Sequence, residues 1–574
     1  MSVLPVERRR GKTVILALLT VIAFTVSLLA WAFASPAQSS PDDDFHIANI
    51  YCVHDSATCR SDDWDWPLDI PTWAPNPADR QGPEYAGAYE AYPDLWQYNQ
   101  PRALPCYVTN GTAWYAPDVS IPATCLNAED PTNNRPGTVD LLGHYPSAYY
   151  HFMSVFTGST IRESVAIWRV INVLIAVAML SLAVLLSGGR YRRPAAVGAL
   201  VASGPLGFFL VSSINPSAWL LIGTAAFLGP ALTQLQEPFV PGWRTGRRLI
   251  FLAVCLFLMI AGRSEGLLHL VILVSVVLIL GLRVTRRVIA PLLAVAVLAG
   301  VAVALAIPRL MGSGKVQTFT DMAAAGVLGG RIWDALVAVP SFFVGSNSTM
   351  LGWLDVIPPD TAIAGAQAAL WGAAILGLAV MYWRKGLALA LVLVLLLGIP
   401  AFLIAGGWQS PPTRYFLPLM YMIAFVVLCP AWSSDLPRWK PAQWWALATA
   451  SIVANSLSLL YLTVRYVSGI APGTTSPRAL AAAGTPQWWW GAWPPPFLNW
   501  LLGSIAFALA VAALYWLLAT DRPLAPEESA LTGHAATRGD DPDDNRDQES
   551  QDESHAVVRG LGAKEPGQQS ADRQ

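Results

Sequence analysis

Apolar residues in this chain come in blocks of about twenty, separated by short polar stretches, and one polar stretch is far longer than the others. Such a block suits a helix that crosses a bilayer, because in lipid every backbone N–H and C=O must be satisfied within the helix itself. The first block is 13–34. Further blocks fall at 164–187, 195–213, 217–235, 249–262, 266–282 and 288–307, then at 361–383, 386–405, 415–431, 441–464 and 497–519. The pattern predicts an all-α integral membrane protein of about twelve transmembrane helices, with a large external loop between helices 1 and 2.

The polar stretches give the chain its organisation. Residues 1–12 form a basic N-terminus, expected on the cytoplasmic side. The blocks group as transmembrane helix 1 (13–34), helices 2–7 (161–307) and helices 8–12 (361–519). An external loop at 35–160 and a second at 308–360 separate them. Arg190, Arg192 and Arg193, then Arg244, Arg247 and Arg248, then Arg283, Arg286 and Arg287 fall in alternate connections, as do Arg384 and Lys385. All of these lie inside if helix 1 runs outward, which places both termini in the cytoplasm. Ala-Phe-Ala-Ser near the end of the first block resembles a signal cleavage site, but the length of the block and the spans that follow favour a retained helix. Residues 520–574 are charged and poor in aromatics, and read as a disordered cytoplasmic tail.

Composition agrees with a membrane protein. Of 574 residues 54% are hydrophobic and only 13% charged, about half the charged share of a soluble protein. Mean hydropathy is +0.44. A net charge of −2 gives no field that would draw nucleic acid. Six cysteines are present. Cys255 and Cys429 lie in apolar blocks, whereas Cys52, Cys59, Cys106 and Cys125 share the large loop. Four cysteines in one loop suggest disulfides and an oxidising compartment. Sequence order favours Cys52–Cys59 and Cys106–Cys125, and three pairings are possible.

Candidate chemistry begins where the first block ends, at Pro41-Asp42-Asp43-Asp44-Phe45-His46. Charge at a membrane exit is costly unless it is hydrated, paired or used. A solvated helix cap is the simplest reading of such a triplet. Adjacent carboxylates can also divide the roles of proton acceptor and pKa-tuning neighbour, or hold a divalent cation through hard oxygen ligands, so the cofactor stays open. His144, Tyr145 and His151 flank the return of the loop to the membrane, where an aromatic belt is the competing explanation. Arg169 lies inside the second span and needs a carboxylate, a phosphate or water. Arg263 and Glu265 read as an ion pair at a hairpin tip, and Arg414 with Tyr415 stands at the mouth of the tenth span. External arginines beside an acidic cluster suit an anionic ligand, and an isoprenoid phosphate fits both membrane and fork. No Walker A motif, no Gly-x-Ser-x-Gly elbow and no His-Glu-x-x-His site is present.

Five segments resemble a bacterial membrane family known as domain of unknown function 2142. They are Ser40-Pro41-Asp42-Asp43-Asp44-Phe45-His46, Gly143-His144-Tyr145-Pro146-Ser147-Ala148-Tyr149-Tyr150, Arg169-Val170-Ile171-Asn172, Ser213-Ile214-Asn215-Pro216-Ser217-Ala218 and Thr413-Arg414-Tyr415-Phe416-Leu417-Pro418. That family is similar in layout to GT-C glycosyltransferases, in which an acidic pair in the first external loop supplies the catalytic carboxylate. The resemblance implies a GT-C-like fold in a bacterial plasma membrane and an inverting glycosyltransferase. It further implies a polyprenyl-phosphate-linked sugar as donor and a cell-envelope glycan or lipid as acceptor. Asp42 or Asp43 would be the base, and Asp44, His46, His144, Tyr145, Arg169, Arg263, Arg414 and Tyr415 would line the substrate site. A transporter or flippase of lipid-linked sugars and a non-catalytic envelope scaffold are the alternatives. The family's acidic Glu is replaced here by Asp43, one methylene shorter, and its lysine between the middle spans by Arg263-Ser264-Glu265.

Overall fold

The computed structural model describes residues 6–37, 39–53, 145–158, 161–237, 240–281, 329–330, 333, 351–352, 354–405, 413–430, 439–470, 475–482, 490 and 494–520. The chain divides into two compact units, Met1–Asp521 and Arg522–Gln574, and the second lies outside the described residues. So do the expected span at 288–307, most of both large loops, His144, and Cys59, Cys106 and Cys125. Asp44 and Cys52 have their backbones in a helix, but their side chains are outside the description.

Helices run in the order α1 (Val6–Ala32), α2 (Asp43–Cys52), α3 (Ser147–Ser154), α4 (Ile161–Leu186), α5 (Gly189–Val211), α6 (Ser217–Gln236), α7 (Trp243–Gly262) and α8 (Gly266–Gly281). They continue with α9 (Asp360–Leu378), α10 (Trp383–Ala405), a 3₁₀ turn (Thr413–Tyr415), α11 (Leu417–Leu428), α12 (Pro441–Val467), α13 (Pro477–Ala482) and α14 (Pro496–Thr520). Eight of these (α1, α4–α7, α9, α12 and α14) are long and apolar enough to cross a membrane, and α8 and α11 are shorter apolar helices. Among the described residues there is no β-strand, only an isolated bridge between Leu351 and Val356. Except that α1, α5 and α7 begin six or seven residues early and α9 ends five residues early, the described helices coincide with the expected apolar blocks to within three residues, α11 starting two residues inside its block. Pro418 at its start favours that beginning for α11.

Burial separates central helices from peripheral ones. Every residue of α11 is buried, as are the second half of α5 and most of α6. On α1, Val14, Ile15, Leu18 and Ile22 form an exposed apolar stripe at helical spacing, the pattern of a face turned to lipid. α1 packs on α14 and α4, α6 on α5 and α7, α9 on α12, and α11 on α5. With lipid outside, helices associate by close packing and by hydrogen bonds between polar side chains. Trp31 Nε1 donates to Asn455 Oδ1 (2.9 Å), tying α1 to α12. Asn499 Nδ2 donates to Ala30 O (2.9 Å), tying α14 to α1. Asn172 Nδ2 donates to Ser213 O (2.7 Å) and takes α4 to the α5–α6 turn. Central α5 is broken at Gly204 (φ 50°), a left-handed conformation that glycine adopts cheaply, directly before Pro205.

One end of this bundle gathers the site. The ends of α1 and α7 and the starts of α6 and α11 meet there through side-chain contacts that span the sequence. Gly262, the last residue of α7, allows that approach. A Cβ there would stand 2.7 Å from Pro216 O and 3.0 Å from Leu220 N, both main-chain atoms of the α6 entry.

Candidate functional site

The chain leaves α1 in a tight run of turns and re-enters a helix at Asp43. Asp42 caps that helix with a left-handed backbone (φ 65°), which Asp tolerates better than most residues. Two contacts hold it there. Asn215 Nδ2 donates to Pro41 O (3.0 Å), and Asn215 Oδ1 accepts from Ser217 N (2.9 Å), so the α6 entry grips the backbone just before Asp42. The Asp42 backbone carbonyl accepts from His46 N (2.8 Å) and opens α2.

The reversed backbone sends the adjacent carboxylates to different environments. Asp42 is partly open, with 39% of its side chain exposed, whereas Asp43 is fully buried. Asp42 Oδ2 accepts from Arg414 Nη2 at 2.9 Å and from the Tyr145 hydroxyl at 3.5 Å. Burial pushes the Asp42 carboxyl up, but the charge of Arg414 above all, with Arg263 and the Tyr145 hydroxyl, outweighs it and leaves it below the usual carboxylate value. Asp43 accepts from Ser40 N (3.1 Å), from the Ser40 hydroxyl and from Arg169 Nη2 (3.4 Å). Burial dominates there, and Asp43 rises to about 6 despite Arg169. His46 is buried with Nδ1 2.9 Å from the Tyr150 hydroxyl, and burial lowers it to about 3, so it is neutral at physiological pH.

The three arginines differ as sharply. Arg169, buried on α4, donates to Ala32 O (2.9 Å), Ser35 O (2.7 Å), Pro36 O (2.7 Å) and Ser39 Oγ (3.3 Å) besides Asp43. Its guanidinium also faces the Trp490 ring at 5.5 Å. This arginine knots the segment after α1. Arg263, at the end of α7, forms a fork with Glu265 (3.0 and 3.2 Å) and donates to Ser217 Oγ (3.1 Å). The guanidinium lies against the rings of Tyr145 (5.0 Å) and Tyr415 (4.8 Å). Arg263 also lowers Glu265 to about 2, against an upward push from burial.

Arg414 is the exception. It is 6% exposed, bonds Asp42 through Nη2 and makes a long contact from the same nitrogen to the Tyr415 hydroxyl (3.5 Å). Its Nε and Nη1 are buried and have no hydrogen-bond partner among the described residues, and the same holds for the neighbouring Thr413 hydroxyl. Buried donors are almost always satisfied, and a guanidinium with two open N–H groups is equipped to take an oxyanion.

The first 14 residues after α1, the strip before α3, the α6 entry and the α11 entry are therefore brought together, and so are Asp42, Asp43, His46, Tyr145, Arg169, Arg263, Arg414 and Tyr415 from the sequence reading. A family of predicted membrane proteins, DUF2142, matches residues 24–423, which covers all of these segments. The chain belongs to the DUF2142 family. No curated protein matches it. Among the described residues no group of three or more His, Cys, Asp or Glu side chains is placed to hold a metal ion.

Several contributors were missed in the sequence. Ser40, Asn215, Ser217 and Tyr150 hold the named residues in place. Asp355 and Arg465 form a fully buried pair (2.8 Å) behind the site, and the Tyr466 hydroxyl donates both to Asp355 Oδ1 (3.4 Å) and to Ser39 O (3.2 Å). Ser40, Asn215, Ser217 and Tyr150 carried a sequence signal through their places in the family-like segments, whereas Asp355, Arg465 and Tyr466 lie outside them.

Proposed function

We propose that this protein is a membrane glycosyltransferase with a GT-C-like fold of about twelve transmembrane helices. It moves a sugar from a polyprenyl-phosphate donor to a cell-envelope acceptor at the external face of a bacterial plasma membrane. The observation that carries this reading is the partly open, ionised Asp42 carboxylate opposite a buried Arg414 with two donors unfilled among the described residues. In the reaction Asp42 takes the acceptor hydroxyl proton as the acceptor oxygen attacks the anomeric carbon. The bond from that carbon to the phosphate oxygen breaks, and its electron pair leaves with the lipid phosphate. Arg414 stabilises that growing charge. Attack from the face opposite the leaving group inverts the anomeric centre. Asp43, closed in by Ser40 and Arg169, positions the loop rather than touching substrate.

A transporter of lipid-linked sugars would need polar groups free to line a path at mid-membrane depth. Of the candidates, Asn172 donates to Ser213 O, Gln367 accepts from Trp371 and Asn455 accepts from Trp31, which leaves only the Asn455 amide nitrogen without a partner among the described residues. This favours chemistry at the bundle end over passage through it. The test is to incubate purified protein with a panel of polyprenyl-phosphate sugars and envelope acceptors and to measure release of lipid phosphate. Release by the wild type and its loss in Asp42→Asn supports the reading. Transfer that survives neutralisation of Asp42 removes it.

A further inference from the structure

Arg414 serves two partners with one guanidinium. One edge, through Nη2, is committed to Asp42, while Nε and Nη1 are buried and, like the adjacent Thr413 hydroxyl, have no hydrogen-bond partner among the described residues. We propose that Arg414 is a counter-ion shared between Asp42 and the donor phosphate, so that seating the lipid phosphate is what frees Asp42 to take the acceptor proton. This rests on the transferase reading and adds an order to it: the donor binds first and switches on the base.

The physical argument is electrostatic. A carboxylate held by a guanidinium at 2.9 Å is a weak base, because protonating it discards the attraction. A phosphate on the open edge brings a second negative charge to the same cation and places it near Asp42. Both effects raise the proton affinity of Asp42 toward the range where a general base works well near neutrality. Other groups facing Asp42 do not duplicate this role. Arg263 is forked to Glu265 and bonded to Ser217, His46 is neutral, and burial raises the Tyr145 hydroxyl above its usual range, so it stays protonated near neutral pH. During transfer the proton passes from the acceptor hydroxyl to Asp42. The glycosidic bond forms as the bond to phosphate breaks, and the released phosphate keeps the electron pair and its contact with Arg414. Before the donor arrives, Asp42 remains clamped and does not activate a hydroxyl.

The test uses the full chain in nanodiscs and farnesyl methyl phosphodiester, an anionic lipid whose charge does not titrate near neutrality, with farnesol as the uncharged control. Infrared difference spectra taken across the acidic range report the protonated Asp42 band, assigned by its loss in Asp42→Asn. The diester, and not farnesol, is expected to raise the midpoint of that band by about one pH unit, a tenfold gain in proton affinity. Calorimetry in two buffers of different ionisation enthalpy reads the same event as proton uptake, and serves alone if Asp42→Asn does not fold. Arg414→Lys, which keeps the charge but not the fork, is expected to lose most of the shift. Saturable diester binding with an unmoved or lowered Asp42 midpoint overturns the coupling and leaves the transferase reading standing. Absence of diester binding by folded protein overturns both.

Discussion

Replacing Arg169 by Met and, separately, Arg414 by Met should distinguish two arginines that the sequence presents as equals. Arg169→Met removes a guanidinium that satisfies three main-chain carbonyls, the Ser39 hydroxyl and one oxygen of the fully buried Asp43. Removing one partner of a buried ion pair costs about 3–5 kcal/mol, mostly because the other charge is left behind. Orphaned carbonyls add to this, at about 1 kcal/mol or more each. Arg414→Met removes a single bond to a carboxylate that is 39% exposed, and water can take over that carboxylate. Although Arg414 is buried, its carboxylate partner is open to water, which puts the pair near the exposed range of about 0–1 kcal/mol, and the Met also removes two buried donors that have no partner among the described residues. Unfolding of the two variants in the same detergent is therefore expected to show a loss of at least about 3 kcal/mol for Arg169→Met and little or none for Arg414→Met. Lipid-phosphate release should vanish in Arg414→Met even though the fold persists. Equal destabilisation by the two substitutions would refute the division of labour drawn from the geometry.

Asp43 and Asp42 should give stability profiles of opposite sign. Asp43 titrates near 6 in the folded protein against 3.8 unfolded, so its contribution is present below about pH 4 and is lost as pH rises toward 6. Asp42 is lowered, so what it contributes is present above 3.8 and fades as pH falls further. Comparing unfolding of Asp43→Asn with wild type across this range checks the first, since the variant should lack the decline. Gly262→Ala forces a Cβ to within 2.7 Å of Pro216 O, so the Arg263–Ser217 contact should loosen, with a loss of about 1–3 kcal/mol by thermal unfolding. Arg465→Met strands the buried Asp355 and is expected to cost about 3–5 kcal/mol, whereas Arg465→Met with Asp355→Leu should recover much of it in a double-mutant cycle.

Much of the helix layout could be read from the apolar blocks because lipid leaves a twenty-residue apolar run few other structures to adopt. The same reasoning marked Asp42, Arg169 and Arg414, since a charge at or inside a membrane boundary needs an explanation. What it did not reveal was how they pair. Asp42 and Asp43 are adjacent and chemically identical, and only the left-handed backbone at Asp42 sends one toward Arg414 and the other toward Arg169. The sequence puts Arg169 and Arg414 alike in the expected substrate site, yet the first is engaged by the chain itself. Asp355 carried no signal, because its partner Arg465 is 110 residues away and no periodicity links them. Arg263 with Glu265 was the easier case, two residues apart at a helical hairpin.

Arg169 also constrains how the protein is made. The carbonyls it needs belong to the turn after α1, synthesised 133 to 137 residues earlier. A lone arginine on an apolar helix entering the bilayer is disfavoured, by up to about 2.5–3.5 kcal/mol at the helix centre on insertion scales and less toward the ends, where Arg169 lies. As the translocon releases α4, the nascent α1 turn is already there to receive that arginine, so the α1–α4 hairpin is expected to close before the later helices emerge. A chain shortened just after α4 should already retain this hairpin in the membrane, and should lose it when Arg169 has no carbonyls to find.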